Sequence, residues 1–253
     1  MTDLLNRFRG LLLPLLLIGA WEWLSRQDAA GAYAFVPLST IGSALLELLG
    51  NGELRVNLLA SLGRASGGLL LGSLAGVLLG ALMAQSVLAN RLIGPLFHAV
   101  RQVPMLGWIP LIAMWFGNGE FSKMLIVSLA AFYPMVLNTY QGFCQVERRY
   151  REVGQVLVLG PAQRLRHILL PAALPSMATG LLQALAFAWV TAVGSELFLS
   201  SGAGLGNLMM NAEAGSRMEV IVLCVLCIGL CGYLMTLLLT FLSRRLLRWR
   251  PTR

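Results

Sequence analysis

The chain has 253 residues, of which 57% are hydrophobic and 12% charged, and its mean hydropathy is +0.75. A soluble domain of this length carries about twice that charge. Nor does it hold uncharged apolar blocks such as 65–90, 124–146, 168–195 and 220–243, each reaching the roughly 20 residues needed to cross a 30 Å hydrocarbon core. The net charge of +8 comes from arginines flanking those blocks, which points to a lipid bilayer and away from nucleic acid. The expected fold is an all-α integral membrane protein with about six transmembrane helices, forming a single domain over 1–253 with core helices at about 57–243.

The first helix covers about 9–25, after Arg7 and Arg9. Glu22-Trp23-Leu24 follows its apolar stretch where a signal peptide needs a small-residue cleavage site, so the helix is expected to be retained. A polar connection, 26–56, contains a short amphipathic helix after Ser39, with Ile41, Leu45 and Leu48 on one face, suited to lying on the membrane surface. Helix 2, about 60–86, carries Gly72, Gly76 and Gly80 at intervals that admit a close neighbour, either within the chain or on a second copy. Helix 3, about 97–117, is expected to be kinked or broken by Pro104 and Pro110. Helix 4 covers about 122–143, helix 5 about 174–199 and helix 6 about 219–243. Between the last two, 200–218 has the glycine content of a loop.

Arginine placement sets an expected orientation. With the N-terminus in the cytoplasm, inner segments hold Arg7, Arg9, Arg91, the group 148, 149, 151, 164 and 166, and the group 244, 245, 248, 250 and 253. The outer segments hold only Arg26, Arg55, Lys123 and Arg217. Both termini and the charged segment 144–167 then face the cytoplasm. That segment is too short to be a domain and well sized for docking into a partner. It reads as a short helix from near Arg151, a turn at Gly160-Pro161, a second helical piece and a stop at Pro171, with Leu165, Ile168 and Leu169 as an apolar contact stripe.

The segment beginning Glu152-Val153-Gly154 and closing on Ile168, Leu170 and Pro171 resembles the loop of binding-protein-dependent importer permeases, E-A-A-x-x-x-G followed by I-x-L-P. Val158 stands at the glycine position, and Gly160 lies two residues later, so the turn is expected to be displaced. Pro37-Leu38-Ser39-Thr40, Arg101-Gln102-Val103-Pro104, Trp115-Phe116-Gly117, Phe132-Tyr133-Pro134, Gly204-Leu205-Gly206 and Met210-Asn211-Ala212 resemble the permease group for aliphatic sulfonates, taurine and nitrate, the sulfonate branch above all. The resemblance implies a type I ABC importer permease of the bacterial inner membrane. Its loop, about 144–171, forms a coupling helix seated in a cytoplasmic ATP-binding cassette subunit, with Glu152, Gly154, Gly160, Arg164, Ile168, Leu170 and Pro171 as the coupling residues. The implied partners are that ATPase, a periplasmic or lipid-anchored substrate-binding protein and a second permease copy.

The one lysine, Lys123, follows Ser122, so the chain has no G-x-x-x-x-G-K-[ST] phosphate loop and is not expected to be an enzyme. No cofactor is expected. Cys224, Cys227 and Cys231 share one helix face and read as packing residues rather than a metal site or a disulfide. The pathway candidates are Gln102, Pro104, Asn138 and Glu196. Asn138 and Thr139 suit interhelical hydrogen bonds better than substrate contact. Glu196 suits either a gate or a structural ion pair. Arg101 suits an anion or the cytoplasmic interface, with the interface expected. A secondary transporter would use intramembrane carboxylates and an internal repeat, but Glu22 and Glu196 are the only candidates and no repeat is evident. A membrane enzyme has no nucleophile–base pattern to build on, since His98 and His167 lie apart at span ends.

Overall fold

The computed structural model describes residues 2–27, 35–199 and 201–247, and these are helical throughout apart from short connections. The helices are α1 (Thr2–Ser25), α2 (Leu38–Gly50), α3 (Glu53–Gln85), α4 (Val87–Val100), α5 (Met105–Phe116), α6 (Glu120–Cys144), α7 (Arg148–Val156), α8 (Pro161–Arg164), α9 (Leu170–Phe198), α10 (Leu205–Ala214) and α11 (Met218–Leu246). Four of them, α3, α6, α9 and α11, are long and apolar enough to cross a membrane. A fifth span is present if α4 and α5, bent by 97° at a short break, count as one. The expected count of about six adds α1, whose described apolar stretch, Leu12–Ser25, is shorter. The tail arginines 248, 250 and 253 lie outside the described residues.

Helix α6 is the centre, with α3 and α9 each packed along it and also against one another. In lipid, helices gain no hydrophobic drive toward one another, so close van der Waals packing of small residues has to hold them. Gly68, Gly72, Gly76 and Gly80 of α3 form that seam, and all four are buried. A Cβ at Gly72 would lie 2.1 Å from the Ser128 carbonyl oxygen, and one at Gly80 would lie 2.6 Å from that of Val136. The glycine stripe therefore packs within the chain. Gly180, Ala184, Ala188 and Ala192 give α9 a matching face, and a Cβ at Gly180 would lie 2.5 Å from the Cβ of Asn138. Helix α11 closes on α9 through Trp189, whose indole N–H donates to the Ile228 carbonyl at 3.1 Å. Cys224 is buried in this packing, and all four cysteines are free.

Three expectations change here. The break that bends helix 3 lies at 101–104, where Pro104 takes an extended conformation (φ −56°, ψ 137°) and disfavours helix at the preceding residue. Pro110 is accommodated inside α5. The stretch before the break is a separate helix, α4, starting at Val87. Helix α2 does not lie free on a membrane surface, because Ile41, Ala44 and Leu48 are buried against the chain's own core. The 200–218 segment is mostly helix α10, with glycines at its N-terminal end serving close approach rather than a loop.

Candidate functional site

Three regions carry polar chemistry. The first is a buried ion cluster where the 120, 198 and 204 ends of α6, α9 and α10 meet α3. Arg64 donates through Nη1 to Glu196 Oε1 at 2.5 Å, and through Nε and Nη2 to the Glu120 carboxylate at 2.7 and 2.6 Å. Its Nη2 also donates to the Ala203 carbonyl. Ser61 Oγ lies 2.8 Å from both Glu196 oxygens and accepts from the Leu205 N–H at 2.9 Å. Glu196 Oε2 accepts the Gly206 N–H at 2.9 Å, which places a carboxylate on the first turn of α10, where helix polarity favours it. Gly204 is required, since a Cβ there would lie 2.4 Å from Glu196 Cδ. Lys123, expected among the outer loop charges, is fully buried and donates to the Ser201 carbonyl. A buried charge persists only when paired and hydrogen-bonded; here Arg64 is shared between the buried Glu196 and the exposed Glu120, and Lys123 is held by a backbone carbonyl. Of the two readings open for Glu196, the geometry supplies the structural one.

The second region is a cavity of about 300 Å³, bounded by the 101–104 break, α6 and α9. Gln102 and Pro104 line it, as do Arg101, Tyr133 and Gln183. Asn138 stands behind it. Its Nδ2 donates to the Pro134 carbonyl one turn back at 2.8 Å and to Gln183 Oε1 at 2.9 Å. Asn138 thus makes the interhelical bond its type suggests. Glu196 does not line this cavity. The four pathway candidates therefore divide into two at the cavity, one behind it and one in the ion cluster.

The third region is the loop joining α6 to α9. Helix α7 starts at Arg148, and its Arg148 Nε donates to Glu152 Oε1 at 2.9 Å. The turn follows at Leu157-Val158, and Val158 itself takes the left-handed conformation at φ +51°. The expected displacement to Gly160 does not occur. Gly160 is extended (φ −64°, ψ 163°) and opens α8, its N–H donating to Gln163 Oε1 at 3.1 Å. Gly154 lets α7 lie against the returning chain, since a Cβ there would meet Ile168 Cδ1 at 2.6 Å and Arg164 Cγ at 3.6 Å. Pro171 does not stop the helix. It lacks the N–H that would bond to His167, and the chain widens into a π-helical turn, Leu165–Leu169, in which the Leu170 N–H reaches back to the Leu165 carbonyl. Leu165, Ile168 and Leu169 are half-buried and face inward. The exposed apolar residues of the loop are Val153, Val156, Leu157 and Val158, with Val156 81% and Val158 87% exposed.

Sequence reasoning passed over Arg64, Tyr133 and Gln183. Arg64 abuts an uncharged block and reads as a span-end residue. Gln183 is the one carboxamide inside the 168–195 block, a signal that was available.

A six-helix-scale membrane protein with a charged lock, a polar cavity midway along its helices and a compact loop presenting an apolar cap belongs to the class of polytopic transport proteins. Residues 68–249 match the family described as binding-protein-dependent transport system inner membrane component, and the chain belongs to that family. It is the membrane-embedded permease component of an ABC importer, and the family works with an ATP-binding subunit and a substrate-binding protein. The chain is 34% identical over 242 residues to a putative aliphatic sulfonates transport permease, SsuC, of Bacillus subtilis, covering 96% of this chain and 87% of that one. It is 34% identical over 187 residues to the nitrate import permease NrtB of Leptolyngbya laminosa, covering 74% and 66%. A chain of the inward-facing MetNI methionine ABC transporter shares the fold, with a TM-score of 0.59 at 18% identity, covering 77% of this chain and 94% of that one.

Proposed function

We propose that the chain moves aliphatic sulfonates inward across the bacterial inner membrane as one of two identical permeases. The observation that carries the substrate is the near full-length similarity to sulfonate permeases, which recurs at 30% identity over 239 residues with the Escherichia coli SsuC. Nitrate and bicarbonate permeases also match, at lower coverage of this chain. Both termini and the loop at about 144–171 face the cytoplasm, and the whole chain acts as one transmembrane unit.

The ATPase docks on this loop. Its exposed apolar cap at Val153, Val156, Leu157 and Val158 is the surface a partner groove would cover, and Glu152, Gly154, Gly160, Arg164, Ile168, Leu170 and Pro171 set its shape. The pathway runs past Gln102 and Pro104, with Asn138 orienting its wall and Glu196 holding the outer helix ends. ATP binding draws the two loops together and opens the cavity outward, and hydrolysis resets it. Growth of a strain lacking the gene, on an alkanesulfonate as sole sulfur source with sulfate as control, tests the substrate. Loss on the sulfonate alone, restored by the gene, is expected; growth of that strain on both, with sulfonate uptake at the parental rate, overturns the assignment.

A further inference from the structure

Tyr133 lies about 13 residues into α6 and Gln183 about 13 into α9, so at 1.5 Å per residue each stands roughly 20 Å from its helix start, near the middle of a span. Arg101 and Gln102 line the same cavity from the break between α4 and α5. Arg101, expected at the cytoplasmic interface, thus shares a cavity with two mid-span side chains. An arginine at that depth is costly against lipid and belongs on a water- or ligand-filled space. Arg101 makes no ion pair among the described residues, and no carboxylate lines the cavity. The acids nearest in the fold's logic, Glu120 and Glu196, are already engaged by Arg64.

The lining is a set of donors. Arg101 offers a guanidinium. Gln183 has its carbonyl taken by Asn138 and keeps its amide N–H₂ free. The Tyr133 hydroxyl has no hydrogen-bond partner within the described chain, and Gln102 adds a second amide. The remaining wall is apolar, with Leu137 and Phe187. Free donors and one cation set in an otherwise apolar lining match a small organic anion with an oxyanion head and an alkyl tail.

We propose that this cavity is a transient substrate site within the membrane, in which Arg101, Gln183 and Tyr133 hold the oxyanion head and Leu137 and Phe187 face the alkyl portion. The proposal rests on the sulfonate reading above and adds a site to it. Conduction requires such a site to be weak, and a single unpaired arginine with neutral donors gives attraction without a closed cage.

The test uses the full complex of permease, ATPase and binding protein in proteoliposomes, with radiolabelled ethanesulfonate as the probe and copurification of the ATPase as the assembly readout. Gln183→Glu keeps the side-chain shape and the acceptor for Asn138 while placing negative charge beside the anion. It and Arg101→Gln should each lower uptake about tenfold or more, the scale of one charged hydrogen bond, and Arg101→Lys should restore part of it. Undiminished uptake in either assembled variant overturns the site while leaving the sulfonate reading intact. If Arg101→Gln does not copurify with the ATPase, Gln183→Glu decides by the same criterion. A wild-type complex that imports no ethanesulfonate overturns the substrate reading, and the site with it.

Discussion

Replacing Gly72 by alanine tests the packing of α3 on α6 directly. The added methyl would lie 2.1 Å from the Ser128 carbonyl oxygen, 2.9 Å from Ala131 Cβ and 3.0 Å from the Phe132 nitrogen. Two of these are backbone atoms of a helix also packed against α9, so neither can swing away as a side-chain tip would. Restoring ordinary contact at about 3.4 Å requires α3 to retreat by about 1.3 Å at this point. A gap of that size forfeits a large part of the dispersion energy along the seam, and overpacking of this kind costs about 1–3 kcal/mol. For a chain of this length that corresponds to a loss of about 3–10 °C in melting temperature. Gly63, one turn or more along the same helix, has nothing within 4 Å of an added Cβ. There alanine should leave the melt unchanged or raise it slightly, because glycine is the poorer helix former by about 1 kcal/mol. Thermal unfolding of the detergent-solubilised protein, followed by fluorescence size exclusion, compares the two. Equal melting of Gly72→Ala and wild type, with a clear loss in Gly63→Ala, would refute the assignment of the glycine stripe to the α3–α6 seam.

Two further outcomes follow from the ion cluster and the loop. Arg64→Leu leaves Glu196 buried with only Ser61 and a backbone N–H, and should cost about 3–5 kcal/mol. The double variant Arg64→Leu/Glu196→Leu should recover part of that, read as a positive coupling energy in a thermal double-mutant cycle, and strict additivity would contradict the pairing. Val158→Gly relieves a β-branched residue at φ +51°, worth about 1–2 kcal/mol in the folded chain and offset by about 0.5–1 kcal/mol of glycine's chain entropy. The permease alone should be unchanged to slightly more stable, while ATPase copurification weakens through loss of an exposed valine. Unchanged copurification would remove Val158 from the docking surface.

Helix positions were readable because long uncharged blocks have one physical solution in lipid. The boundaries of α6 and α11 fall within a few residues of those expected, and Pro104 marked the break in advance. What was not readable depended on burial against other parts of the chain. Lys123 and Arg64 look like interface charges in a linear string, and only the meeting of α3, α6, α9 and α10 shows Arg64 paired with Glu120 and Glu196 and Lys123 donating to the Ser201 carbonyl. Helix α10 was hidden because Gly202, Gly204 and Gly206 carry the composition of a loop, yet Gly204 and Gly206 serve as spacers around the Glu196 carboxylate. In the loop, Gly160 drew the turn two residues too late. Val158 instead closes α7 in the left-handed conformation, with the Leu159 N–H reaching back to the Gly154 carbonyl at 3.0 Å, a cap that a β-branched residue does not signal in the sequence.

These features divide the chain mechanically. Helices α3, α6 and α9 are joined along their lengths by glycine and alanine seams, and the ends of α6 and α9 near Glu120 and Glu196 are tied to α3 by a hydrogen-bonded ion cluster. The described backbone is interrupted at two places beside these helices, the 101–104 break, where α4 and α5 diverge by 97°, and the π-helical turn at Leu165–Leu169 that joins the loop to α9. The first borders the polar cavity, and the second underlies the exposed apolar cap. In the proposed docking, a force applied at Val153 to Val158 would reach α9 through the widened turn. The α4–α5 break is then the segment against which α9 would change its spacing, and Arg101 and Gln102 sit on it. On the proposed coupling, the cavity wall beside this break is where displacement of the loop would be felt.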